Sequence, residues 1–475
     1  MTELNKVPSN QTQGKKKFEI PHVYVILLFV VVVCAILTYV VPAGQYDMME
    51  SANGRSVVDP SSFQYVDNTP VGLMDVLKSV PDGMVETASI IFFIFMVGGA
   101  FSVIDATGAI EAGIGRITLK MRGKERAIIP IIVFVFSLGG AVFGMAEETL
   151  PFIPIMVTLA IALGFDSLTG IGIVLAGAGA GFAGAFMNPF TVGVAQGIAE
   201  LPLFSGMGFR IVAYLVMVAL VIGFLFNYAG KVKKNPRLSP MYDIDINRTD
   251  KLDLDNLKEL TNNRKLVLVI LAGTIGLLVF GVITYGWYIQ EIAALFMGMA
   301  IVAALAGKLG LNGFAKNLVK GFANLAGGAL VVGFARAILV VLTKGHILDT
   351  ILYASSETLL QLPSAVSAVG MYVFQCLLNF IVPSGSGQAA VSIPILAPLS
   401  DLVGVTRQTA VLAYQFGDGI SNIFTPTSGY FMAGLALAKV PWQKWAKWIL
   451  PLIVAEYVIA GILVFVAHSI GYGPF

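Results

Sequence analysis

Two adjacent carboxylates, Glu147 and Glu148, stand with Thr149 inside an otherwise apolar stretch, residues 143–154, that also holds Pro151 and Pro154. An ionised carboxylate at bilayer depth costs about 2.5–3.5 kcal/mol on insertion scales. A pair of them must therefore face protein or water, where they suit an ammonium or a guanidinium. A second polar island, Ser384, Gly385, Ser386 and Gly387, interrupts residues 382–394. Its unhindered backbone and two hydroxyls suit a carboxylate through N–H groups, or Na⁺ through oxygens. Two more islands break apolar runs: Asn188, Pro189 and Thr191 in one, and Asp418, Asn422, Thr425 and Thr427 in the other. These residues form the candidate substrate site. No catalytic set is visible. His22, His346 and His468 are scattered, and no metal spacing exists. No cofactor is expected, with Na⁺ or H⁺ coupling left open.

Each island has a plainer alternative. Glu147 and Glu148 sit either at a buried tip or in a loop between two full spans. Ser384–Gly387 is either a binding tip or a turn. The Asn-Pro and Thr-Pro pairs are ligand-binding breaks or kinks. Asp418 is a site group or a cap. Arg336, inside an apolar run, either pairs with a buried carboxylate or touches substrate. Trp442, Trp445 and Trp448 read as interface anchors.

Composition sets the elements that carry these groups. Of 475 residues, 57% are hydrophobic and 12% charged, where a soluble domain has about 25% charged. Apolar runs of about 20 residues recur along the chain, the signature of an all-α polytopic membrane protein in contact with lipid. The abundant glycine suits close helix packing. No basic stripe exists for nucleic acid. Basic loops, including Arg116–Arg126 and Lys231–Arg237, mark cytoplasmic sides. They place the N-terminus in the cytoplasm and the C-terminus outside. Residues 47–82 and 344–362 then read as external segments.

An internal repeat organises the chain. A shift of 240 residues places Ile153-Pro154-Ile155 on Ile393-Pro394-Ile395, Gly164 on Gly404, and Gly177 and Gly179 on Gly417 and Gly419. The same shift places Glu148 on Gln388, so one tip is acidic where the other is neutral. Each copy reads span, span, hairpin, broken span, span. Residues 1–228 form the first copy, with a hairpin near 127–165. Residues 229–264 form a cytoplasmic linker and 265–285 a connecting span. Residues 286–475 form the second copy, with a hairpin of short arms near 365–402. The connecting span inverts the second copy, the pattern of inverted-repeat secondary transporters with a midplane site. About nine transmembrane helices plus two re-entrant hairpins result.

Residues Val41–Tyr46, the Glu-Glu-Thr tip, Pro383–Gln388 and Gly417–Thr427 together resemble the YfcC branch of the DcuC-type (C4-dicarboxylate anaerobic) carriers, in the ion transporter superfamily. The resemblance covers essentially the whole chain. It implies a bacterial inner-membrane carrier of nine spans and two hairpins, with a scaffold and a moving transport domain, as a homodimer. It also implies exchange of basic amino acids, arginine for ornithine. The Asn-Thr tip that binds Na⁺ in dicarboxylate relatives is replaced here by Ser384–Gly387. The expected function is a secondary active transporter of the arginine/ornithine type working by elevator-like alternating access. The alternative substrate is a C4-dicarboxylate or another small carboxylate, coupled to Na⁺ or H⁺. A channel is the rival class.

Overall fold

The computed structural model describes residues 21–50, 56–120, 123–188, 190–248, 259–285, 287 and 289–473. Pro189 and residues 249–258 of the expected linker lie outside that set. The protein is an all-α bundle. Helices dominate because a chain in lipid must satisfy its backbone N–H and C=O groups internally. In order they are α1 (Val23–Leu37), α2 (Leu73–Glu86), α3 (Ala88–Ala106), α4 (Ala109–Lys120), α5 (Ile128–Leu138), α6 (Ile153–Ala162), α7 (Ser167–Ala183), α8 (Val192–Ile198), α9 (Met207–Lys234) and α10 (Tyr242–Asp245). There follow α11 (Asn262–Tyr285), α12 (Ile289–Ala306), α13 (Gly310–Lys344), α14 (Leu348–Leu360), α15 (Ser364–Ile381), α16 (Gly385–Leu402), α17 (Arg407–Ser421), α18 (Gly429–Leu437) and α19 (Trp442–Ser469). Seven helical stretches among the described residues are long and apolar enough to cross a membrane: 88–106, 125–143, 207–234, 289–306, 310–344, 364–381 and 442–469.

Several expectations need correction. Residues 47–82, read only as external, carry regular structure. Short antiparallel pairs join residues 44–45 to 64–65 and 48–50 to 56–58, and α2 follows them. Helix α14 occupies most of residues 344–362. Helix α13 starts at Gly310 and runs for 35 residues, its polar first turns continuing into its apolar part. The arms of the second hairpin are not short: α15 and α16 have 18 residues each, roughly 27 Å at 1.5 Å per residue. Pro394 and Pro398 sit inside α16 without ending it. Packed neighbours offset the hydrogen bonds a proline removes.

Helices α7 and α17 form the centre. Every residue of α17 from Gln408 to Ser421 is buried, as is nearly all of α7. Each begins at a capped turn. Asp166 accepts from the N–H of Thr169 and Thr406 from that of Thr409. Shortly before each cap a glycine, Gly164 or Gly404, takes a left-handed φ. Helices α5, α6 and α9 pack on α7, while α15, α16 and α19 pack on α17. Helix α8 lies against α16, and α18 against α6 and the tip before it. Beside this group, α13 packs along α1, α2, α3 and α18.

Candidate functional site

The first tip forms where α5 widens into a π turn, residues 139–143, and stops at Gly144 with φ of 69°. That left-handed angle favours glycine. A Cβ there would also come within 2.4 Å of the Asn188 side-chain oxygen. A 3-10 turn, Glu147–Phe152, then leads into α6. Glu148 is 3% exposed. Its carboxylate accepts the Ala146 N–H at 3.0 Å. Glu147 is half-buried. The Thr149 hydroxyl donates to the Ala146 carbonyl at 2.6 Å.

The second tip is the start of α16. Ser384 caps it, accepting the Gly387 N–H at 3.3 Å. The first-turn amides of a helix have no partner within the helix, so this end offers N–H donors and a partial positive charge.

Both tips open on one cavity of about 460 Å³, within the usual range of small-molecule sites. Of the candidate residues, Glu147, Glu148, Ser384, Gly385, Ser386, Asn422 and Thr427 line it. Phe182, Phe190 and Tyr430 add aromatic faces, and Glu86 and Arg336 complete the charged lining. Three carboxylates against one guanidinium make the lining acidic. The Glu86 and Arg336 side chains lie 2.6 Å apart and are 45% and 40% exposed. Arg336 thus has a carboxylate partner, but an open one rather than a buried one.

The remaining candidates stand behind the wall. Asn188 is buried, and its side-chain oxygen accepts the N–H groups of Phe190 and Thr191 at 2.9 and 3.3 Å, holding the first break in shape. Thr191 is buried against Gly385. Gly387 continues the first turn of α16, and Thr425 donates to the Ser421 carbonyl at 3.1 Å. Asp418 lies in the last turn of α17, not in the break. One oxygen accepts from the side-chain amides of Asn379 and Asn422 at 2.9 and 2.8 Å. Its other oxygen lies beneath Gly385.

Gln388 does not face the cavity. It is buried among Gln375, Asn379 and Ser392. The contrast between the tips is therefore Glu147 and Glu148 against the start of α16. The tryptophans are not simple interface anchors either. Trp445 and Trp448 are buried, and the indole N–H groups of Trp442 and Trp445 donate to the carbonyls of Phe424 and Ile423 at 3.0 Å. They satisfy backbone that the second break leaves open. Glu86 escaped sequence reading because it falls between the external segment 47–82 and the apolar run that follows. No local pattern announces it, since Asp82 and Glu86 are like charges four residues apart and do not favour a helix.

The multi-pass helical bundle encloses a polar cavity, and the family and named relative it matches are carriers, so this protein is a transporter, not an enzyme. The chain is a member of the DcuC family: the family profile, C4-dicarboxylate anaerobic carrier, matches residues 20–469. It is 36% identical to the "Putative basic amino acid antiporter YfcC" of Escherichia coli K12, over 97% of this chain and 99% of that one. It is 30% identical to an uncharacterized protein of Haemophilus influenzae, over 97% and 99% of the two chains. Among solved structures, the YdaH transporter of Alcanivorax borkumensis is matched with a TM-score of 0.44 at 16% identity, over 96% of this chain and 100% of that one. MtrF of Neisseria gonorrhoeae, reported within a class of antimetabolite efflux pumps, is matched with a TM-score of 0.42 at 18% identity, over 94% and 95%.

Proposed function

We propose that the protein exchanges basic amino acids of the arginine and ornithine kind across a bacterial inner membrane. The observation that carries this reading is the single cavity with carboxylates at one tip and a helix N-terminus at the other. A cationic side chain fits Glu147 and Glu148, and an α-carboxylate fits the first turn of α16. A dicarboxylate would meet three carboxylates in the same lining. The name of the Escherichia coli relative points the same way, while the family description names C4-dicarboxylates.

Alternating access by movement of the tip-bearing half against α13 and its neighbours is part of the proposal. The parallel packing of α5, α6 and α9 on α7, and of α15, α16 and α19 on α17, supports two inverted copies. The matched left-handed glycines, Gly164 and Gly404, support them too. Tips that meet in one cavity favour re-entrant hairpins over pairs of full spans.

The test is counterflow in proteoliposomes. Internal ornithine should drive uptake of labelled arginine, and succinate should not compete. Competition by succinate without ornithine-driven uptake removes the reading. Two unit charges about 4 Å apart gain about 4 kcal/mol at an effective dielectric of 20, less in a wet cavity. Glu147→Gln should therefore weaken arginine binding about tenfold, and barely alter binding of a neutral amino acid.

A further inference from the structure

Helices α2 and α13 carry two ion pairs, one of which lines the site cavity. Lys344 lies 2.7 Å from Asp82, and Arg336 lies 2.6 Å from Glu86. The two backbones approach closely at glycines. A Cβ on Gly83 would come within 2.4 Å of the Gly333 carbonyl oxygen. Glu86 and Arg336 each follow their glycine by three residues, near one helical turn. The seam that joins the helices thus also holds the pair across it.

The position of that pair is what matters. A second cavity of about 430 Å³ adjoins the site cavity, and Glu86, Arg336 and Leu339 line both. Asp82, Thr343 and Lys344 line the second one only. A solute passing between the cavities goes by the Glu86–Arg336 pair. Four charged groups facing lipid would be costly, which suits an opening of the second cavity to water rather than to lipid. A pair this exposed contributes little to stability and parts easily; a buried pair would not.

We infer that the Glu86–Arg336 pair is a gate between the two cavities, opened by a solute that carries both a cationic group and a carboxylate. When the pair parts, Glu86 needs a cation and Arg336 an anion. A basic amino acid supplies both at once. A pure cation leaves Arg336 without an anion, and a dicarboxylate sets its second carboxylate against Glu86. The tips read the solute that has bound, whereas the pair reads the solute on its way in. The inference rests on the amino acid reading given above.

The test compares uptake of labelled arginine with that of labelled agmatine, which has the same guanidinium chain but no carboxylate. Proteoliposomes carry the unaltered protein, the neutral double variant Glu86→Gln with Arg336→Gln, or the reversed pair Glu86→Arg with Arg336→Glu. The pair should add up to about fivefold to the preference of the unaltered protein for arginine, the upper range for so exposed a pair, beyond what the first turn of α16 contributes. The neutral variant should lower that ratio by about the same factor, and the reversed pair should hold it near the original value. The reversed pair keeps its charges mated, so it stands in if the neutral variant fails to fold. An unchanged ratio in the neutral variant, or a collapsed ratio in the reversed one, overturns the gate alone. Uptake of succinate in place of arginine by the unaltered protein overturns the amino acid reading and the gate together.

Discussion

Gly385→Ala tests whether the two halves of the chain meet where the site requires. Gly385 begins α16 in the second half, and Thr191 immediately precedes the short helix α8 after the break in the first half. A Cβ on Gly385 would lie 2.6 Å from the Thr191 methyl carbon and 3.2 Å from an Asp418 oxygen. Apolar carbons rest about 3.5–4.0 Å apart, so something must move by about 1 Å. Thr191 is fully buried and β-branched, so its side chain has little freedom to turn away. Overpacking of this kind costs about 1–3 kcal/mol. Gly385 lies in ordinary helical backbone, so the new methyl also restricts the unfolded chain and returns about 0.4–1 kcal/mol. The net loss is about 0.5–2 kcal/mol. If the strain falls on the tip, arginine binding weakens about 2- to 30-fold. Titration calorimetry in detergent and thermal melting would measure both effects. The decisive variant is Thr191→Ser, which removes only the clashing methyl. The double variant should recover most of the loss, giving a coupling of about 1 kcal/mol in a double-mutant cycle. Effects that add to within about 0.3 kcal/mol would show that the two residues do not touch. The account of how the tip meets the break would then fail.

Two further predictions concern the frame. Asp166 accepts from the Thr169 N–H and hydroxyl at 2.9 and 2.6 Å, and from the Tyr228 and Ser239 hydroxyls at 2.5 and 2.6 Å. Asp166→Ala should destabilise the protein by about 2–4 kcal/mol, because several buried donors lose their acceptor. Thermal melting would show this, and arginine affinity in the surviving folded fraction should be nearly unchanged. Gly181→Ala places a Cβ 1.8 Å from the Ser137 carbonyl oxygen, where α7 meets the first hairpin, while Gly223→Ala on α9 meets nothing within 4 Å. The first should cost more than about 3 kcal/mol and abolish monodisperse protein in size-exclusion chromatography. The second should be neutral or stabilising by up to about 1 kcal/mol.

The polar islands were legible because lipid makes them expensive. A carboxylate pair, a Ser-Gly run and two broken helices stand out only against apolar surroundings, and that contrast is written in residue order. The segments misread were those where such contrast is weak. Helix α2 carries Pro81, Asp82 and Glu86 in a mildly polar stretch. Packing against α13 holds it as a helix, and no local pattern announces that contact. The tryptophans near Lys444 carried the composition of an interface belt. Their role as donors to the second break depends on a fold-back of about 20 residues, which composition cannot encode.

Hydropathy and residue type alone determined that this is a multi-pass helical membrane protein with its polar groups gathered at a few breaks, because the cost of placing charge in lipid acts residue by residue. The repeat in residue order pointed to a pairing of the two Gly/Pro-rich tips. Only the tertiary structure decided which groups share the cavity. It set Glu147 and Glu148 opposite the start of α16, turned Gln388 and Asp418 inward, and brought Glu86 and Arg336 to the open side. The physical reason is that a side chain's direction follows from its helix's packing partners, and those partners can lie 250 residues or more away in the chain.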